Sequence, residues 1–152
     1  MIGNETYANV VATDIKFSDF NDLTGEFDRV PVGFRHIGSG GFRSCFLGPD
    51  GVVYKREWGW SYEMNQNEAF LWEEQGMHAD EMPEGVRLAE CTLYGTVLAM
   101  EYIKDDGSTP RNWESLLVFV RTNVLGDCAH VSKRRQNWHS VEGVIVLTDY
   151  SL

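Results

Sequence analysis

Between Phe34 and Lys55 the chain sets three short β-prone runs, Phe34 to Ile37, Phe42 to Leu47 and Val52 to Lys55, around two glycine-rich breaks. Parallel strands need a long crossover, so connections this short leave only antiparallel pairing. The stretch therefore predicts a three-stranded meander. The second break, Gly48-Pro49-Asp50-Gly51, is a turn by its chemistry: Pro fixes φ and Gly accepts a positive one. The first, Gly38-Ser39-Gly40-Gly41, suits either a tight hairpin or a backbone that must come close to a phosphate, because glycine has no side chain to obstruct either.

The remainder of the chain extends this pattern. Residues 1–30 mix polar and apolar positions without a clear period. Residues 63–75, EMNQNEAFLWEEQ, lack Gly and Pro and predict a helix, with Met64, Leu71 and Trp72 on one face and Glu68 beside them. Two further strands are expected, Val86 to Cys91 and Thr96 to Ile103, with Tyr94-Gly95 between them. Residues 104–110, KDDGSTP, read as a linker, and residues 112–125, NWESLLVFVRTNVL, as a buried apolar helix. After a polar loop from Asp127 to Asn137, a hairpin at Val141-Glu142-Gly143-Val144 leads into a buried strand, Val144 to Leu147, which delivers Thr148-Asp149. The expected class is α+β, in one domain of 152 residues.

A hydrophobic content of 43% is that of a globular rather than a disordered chain, and charged residues interrupt every apolar run before it reaches membrane-spanning length. The opening residues have no basic start or long apolar core, and Cys45, Cys91 and Cys128 form no CxxC pair. A cytoplasmic chain with reduced thiols and no zinc site is expected. Asn4-Glu5-Thr6 fits a glycosylation sequon, which carries no weight without a signal peptide. The net charge of −10 repels nucleic acid and favours basic protein partners.

Taken in order, these segments resemble the protein-kinase-like fold, most of all the minimal serine/threonine kinases of T7-like bacteriophages, over residues 33–152. Gly38-Ser39-Gly40-Gly41-Phe42 is similar to the kinase glycine-rich loop, with Arg43 where the third glycine stands. A Walker P-loop is excluded, since no G-K-[ST] ends the run and no helix follows it. Lys55 on the third strand corresponds to the lysine that neutralises the α/β-phosphates, and Glu68, thirteen residues on, to its helix partner. Read singly, Lys55 is a solvated strand-end lysine and Glu68 a helix-surface charge. Leu98 to Ile103 is similar to the strand entering the hinge, with Val53, Met100 and Ile103 flanking adenine. Asn137 and Asp149, twelve residues apart, match the two metal-binding positions.

The resemblance implies a five-stranded antiparallel small lobe with one helix (about 33–103), a hinge (104–110) and a strongly reduced helical large lobe (111–152) that lacks an activation segment after Leu152. It implies ATP under Gly38, Gly40, Gly41 and Phe42, with Lys55 on its phosphates and Mg²⁺ on Asn137 and Asp149. The catalytic base has two registers. Counting five residues back from Asn137 gives Ser132, which cannot serve, with His130 two residues before it and Arg134 two after it as a cation for the γ-phosphate. The alternative takes Asp127-Cys128-Ala129-His130 as the loop's start, with Asp127 as base; His130 acting alone is a third choice. The implied activity is γ-phosphoryl transfer to Ser/Thr of host proteins. A catalytically degenerate relative that binds and inhibits a host enzyme is the alternative, and an acidic imitation of DNA with purely structural glycines is a third reading.

Overall fold

The computed structural model describes residues 3–14, 30–40, 42–57, 63–77, 79–125 and 137–150. They form an α+β protein with three α-helices and two sheets. By contact density the chain divides into two compact units, Met1–Ala69 with Glu90–Tyr102, and Phe70–Ala89 with Ile103–Leu152. Among the described residues no helix is long and apolar enough to cross a membrane.

The first unit is built on a five-stranded antiparallel sheet. Its strands are β1 (Arg35–Ser39), β2 (Arg43–Leu47), β3 (Val52–Glu57), β5 (Cys91–Tyr94) and β6 (Val97–Glu101), in spatial order β1-β2-β3-β6-β5. The expected meander is present. Its second turn closes with the Gly51 N–H donating to the Gly48 carbonyl at 3.0 Å, with Gly51 at φ 78°. The period of two sorts the side chains by face. Phe46, Tyr54, Val97 and Ala99 pack with Ala8 and Val11 of helix α1 (Glu5–Asp14) into one apolar core. Phe34 meets Tyr7 and Tyr54 edge-on at the rim, with ring centroids 5.9 and 5.6 Å apart.

Helix α1 falls where no period is visible in the sequence. Its buried residues, among those described, are Ala8 and Val11. Its start is nevertheless written in the chain, because the Asn4 side-chain oxygen accepts the Thr6 N–H at 2.8 Å. The Asn4-Glu5-Thr6 tripeptide is thus a helix cap. Asn4→Ala is expected to cost about 1 kcal/mol in urea denaturation, and Asn4→Asp close to nothing. The Asn4 backbone N–H also donates to the Tyr54 hydroxyl (3.1 Å), which itself donates to Asp50 (2.6 Å), so one buried tyrosine joins the helix cap to the β2–β3 turn.

Helix α2 (Met64–Met77) follows the expected position, and the boundary between the units falls within it, after Ala69. Its buried residues are Asn65, Glu68 and Leu71, spaced i, i+3, i+6. Met64 and Trp72 are only half-buried, so the inward stripe is largely polar, not the expected apolar one.

The expected strand Val86 to Cys91 is two strands in two sheets. The segment β4 (Val86–Leu88) belongs to the second unit, and β5 begins at Cys91. The second sheet has the order β4-β8-β7, with β7 (Trp138–Val141) antiparallel and β4 parallel to the central β8 (Val144–Leu147). Ile145, Val146 and Leu147 are all buried, as a central strand requires. The β7–β8 turn has both central residues at positive φ, Glu142 at 52° and Gly143 at 77°, matching the twist of the flanking strands.

Residues 104–110 do not behave as a free linker. Asp105 accepts the Ser140 N–H (3.1 Å), Asp106 the Glu142 N–H (2.8 Å) and the Ser108 hydroxyl oxygen the Gly143 N–H (2.7 Å). The segment is a polar strap on the hairpin, and its acidic residues serve backbone donors. The Glu142 N–H, then the Ser108 hydroxyl and N–H, donate to the Asp106 carboxyl and hold it below the usual carboxylate range.

Helix α3 (Trp113–Phe119) continues into a π-helical turn, Val120–Leu125. Leu117, Val120 and Leu125 are buried, whereas Val118 and Phe119 are exposed, so the segment buries one face instead of being enclosed. Trp113 packs on the buried Trp138 with centroids 5.3 Å apart. With a sheet beside this helix, the described part of the second unit is less helical than the reduced lobe expected.

Candidate functional site

Lys55 and Glu68 meet. Cys45 of β2 is the cross-strand partner of Lys55, and Arg43 lies two residues from Cys45, so Arg43 and Lys55 project from the same face of the sheet. The Lys55 ammonium donates to Glu68 Oε1 from β3. The Arg43 guanidinium donates from β2 to both carboxylate oxygens, Nη1 to Oε1 and Nη2 to Oε2, each at 3.1 Å. Glu68 is 0% exposed, Lys55 4% and Arg43 6%.

Asn65, one helical turn before Glu68, completes the cluster. Its oxygen accepts from Arg43 (3.2 Å), and its amide nitrogen donates to the carbonyls of Lys55 and Thr96, both at 2.8 Å. The Asn65 backbone N–H, near the start of α2, donates to Glu57 (2.9 Å). Helix α2 is therefore fixed to β2, β3 and the turn between β5 and β6 through one polar residue. Burial alone would push the Glu68 carboxyl up. The charge of Arg43, then that of Lys55, outweighs burial and holds it well below the usual carboxylate range.

Arg43 and Asn65 are the functional candidates that sequence reasoning missed. The signals were available: Arg43 shares the parity of Cys45, and Asn65 precedes Glu68 by three on a helix.

Gly38, Gly40 and Phe42 lie in the β1–β2 hairpin, where the Gly40 N–H donates to the Arg43 carbonyl at 2.8 Å. Neither Gly38 nor Gly40 has a positive φ, and a Cβ built on either meets nothing within 4 Å among the described residues. Neither turn conformation nor packing against the described residues requires glycine there. Ser39 Oγ lies 2.7 Å from both His36 Nε2 and Ser44 Oγ, a hydrogen-bonded row across the two strands at the base of the hairpin.

In the second unit, Asn137 immediately precedes β7, and Asp149 follows Thr148 at the end of β8. The Asn137 carbonyl accepts the Thr148 N–H at 3.2 Å, which continues the Trp138–Leu147 pairing by one step. Both expected metal-binding positions thus lie at the open end of one hairpin. The backbone around them is anchored. The Ala89 N–H donates to the Leu147 carbonyl (2.8 Å), and the hydroxyl of the fully buried Tyr150 donates to the Ala89 carbonyl (3.0 Å). Among the described residues no group of three or more His, Cys, Asp or Glu is arranged to hold a metal ion. The remaining expected site residues, Gly41, Asp127, His130, Ser132 and Arg134, lie outside the described residues.

No family model, curated protein or solved structure matches this chain.

Proposed function

We propose that this protein is a kinase-like module that binds Mg-ATP and transfers its γ-phosphoryl group to Ser/Thr hydroxyls of a protein substrate. The observation that carries this reading is the buried Lys55–Glu68 pair, made from the third strand to the helix that follows it. A buried ion pair is a weak source of stability, because desolvating two charges offsets most of their attraction. Its presence is better explained by a use for the lysine, and phosphoryl transfer of the protein-kinase type uses a lysine held by such a glutamate. The glycines add support: Gly38 and Gly40 leave open the space that a phosphate-covering loop must leave.

The phosphate lysine in this reading is Lys55, and the magnesium ligands are Asn137 and Asp149. An amide oxygen and a carboxylate are the hard donors that Mg²⁺ takes, and it ordinarily accepts few protein ligands, completing its shell with phosphate oxygens and water.

The test combines thermal melting in Mg-ATP with incubation in γ-labelled ATP. At a ligand concentration of about 100 times Kd, mass action adds about 2.7 kcal/mol, which is several degrees in Tm. That shift is expected for the wild type and is expected to be lost in Lys55→Met. Label transfer to a protein acceptor identifies a kinase. A shift without transfer selects the nucleotide-binding, catalytically degenerate alternative, and no shift in the wild type overturns both.

A further inference from the structure

Two cations converge on one carboxylate in the first unit, and their geometries differ. Lys55 reaches Glu68 Oε1 alone, as a point charge. Arg43 spans both oxygens with two parallel N–H bonds of 3.1 Å, the planar fork that fixes a carboxylate's position and plane. The fork comes from β2, whereas the lysine comes from β3.

A lysine shared between a buried glutamate and a phosphate faces a conflict. The phosphate draws the ammonium away, and the glutamate then loses cationic compensation in a low-dielectric setting. We propose that Arg43 is the positioning residue of this site: it holds the Glu68 carboxylate in place from β2, so that Lys55 can turn to a phosphate-bearing ligand without stranding it. The ligand half of this inference rests on the nucleotide reading above; the hold on Glu68 does not.

The described groups facing the Glu68 side chain are Arg43 from β2, Lys55 from β3 and the neutral Asn65, on its own helix, through the Arg43 fork. From β5 the Cys91 thiol lies against the Glu68 backbone carbonyl at 3.8 Å. Arg43 is the group whose removal takes a cation from both oxygens at once.

The first measurement uses the ligand-free full chain. Wild type, Arg43→Met and Arg43→Lys are unfolded in urea across acidic to neutral pH. The wild-type Glu68 has a depressed folded value, so its contribution is complete above the ordinary carboxyl value of 4.5 and is lost as pH falls through the folded one. In Arg43→Met that folded value rises. The stability gap between the two proteins is therefore expected to be widest at neutral pH and to close as pH falls. Arg43→Lys restores the charge without the fork and is expected to recover only part of the gap. A gap that does not change with pH means that Arg43 serves packing alone, and overturns the proposal. If Arg43→Met fails to fold, the same comparison is made with Arg43→Lys.

The second measurement titrates Mg-ADP by calorimetry in two buffers of different ionisation enthalpy. Wild type is expected to bind without net proton uptake. Arg43→Met is expected to take up protons on binding and to lose affinity as pH rises from 6 to 8, because Glu68 then protonates as Lys55 leaves it. Equal proton counts in the two proteins overturn the ligand half. A wild type that binds no Mg-ADP removes the nucleotide reading and the ligand half with it, and the urea series still decides whether Arg43 holds Glu68.

Discussion

Replacing Glu68 by alanine is expected to cost about 3–5 kcal/mol in urea denaturation, the range seen when one partner of a buried charge cluster is removed. The loss comes from what remains. Arg43 and Lys55, 6% and 4% exposed, lose the carboxylate on which both converge. Native proteins have stabilities of only about 5–15 kcal/mol, so the loss is a large share of the total. Glu68→Gln separates charge from shape. It keeps an oxygen to accept hydrogen bonds and removes the negative charge, so it is expected to be destabilised less at neutral pH. It is also expected to converge on the wild type in acid, where the wild-type carboxyl is protonated too. The sign follows from the direction of the shift: a depressed folded value gives stability that is present above the ordinary value and lost as pH falls. A loss below about 1 kcal/mol for Glu68→Ala, the size of an exposed ion pair, would remove the cluster from the account.

The legible and illegible parts of the structure divide by how local their causes are. The meander, the β2–β3 turn and the β7–β8 turn are set by residues within a few positions of one another, and Gly51, Glu142 and Gly143 take the positive φ values those turns require. The Lys55–Glu68 pair is longer in range. It was expected from the resemblance, since each residue alone reads as an ordinary surface charge. Arg43 was noticed only as a departure from a glycine, because its partner lies 25 residues on in a helix face that looks mixed until two cations are placed against it. The run from Val86 to Cys91, VRLAEC, reads as one strand because no Gly or Pro interrupts it. What divides it is pairing, since Val86 to Leu88 align with Ile145 to Leu147 while Cys91 to Tyr94 align with Val97 to Met100. Residues 104–110 have a linker's composition for a related reason: the groups they bind are backbone N–H donors of a hairpin more than thirty positions away, and side chains that accept such bonds are those that also favour loops.

Asp149→Asn is expected to abolish the magnesium-dependent part of nucleotide binding and to lower phosphoryl transfer about 100-fold or more, the scale on which removing one well-placed electrostatic stabiliser acts. The substitution keeps the side chain's size and an oxygen donor and removes only the charge that a divalent cation needs. The residues beside Asp149 are held by the Thr148–Asn137 and Ala89–Leu147 main-chain bonds and by the Tyr150 hydroxyl on Ala89, none of which involves the Asp149 side chain. A donor on so fixed a backbone is preorganised, so losing its charge is not offset by a neighbour moving in. The measurement is a pair of titrations, ATP with magnesium and ATP with chelator, followed by thermal melting. In the wild type the two are expected to differ. In Asp149→Asn both are expected to resemble the chelated case, and added magnesium recovers binding only at much higher concentration. If the variant keeps the full magnesium response, the end of β8 does not carry the metal, and the likeness of Thr148-Asp149-Tyr150 to the metal-binding segment of kinases is a likeness of strand and turn alone. If the response is lost while Lys55→Met still binds magnesium nucleotide as the wild type does, the hairpin acts without the lysine, and the phosphate-holding role of Lys55 falls.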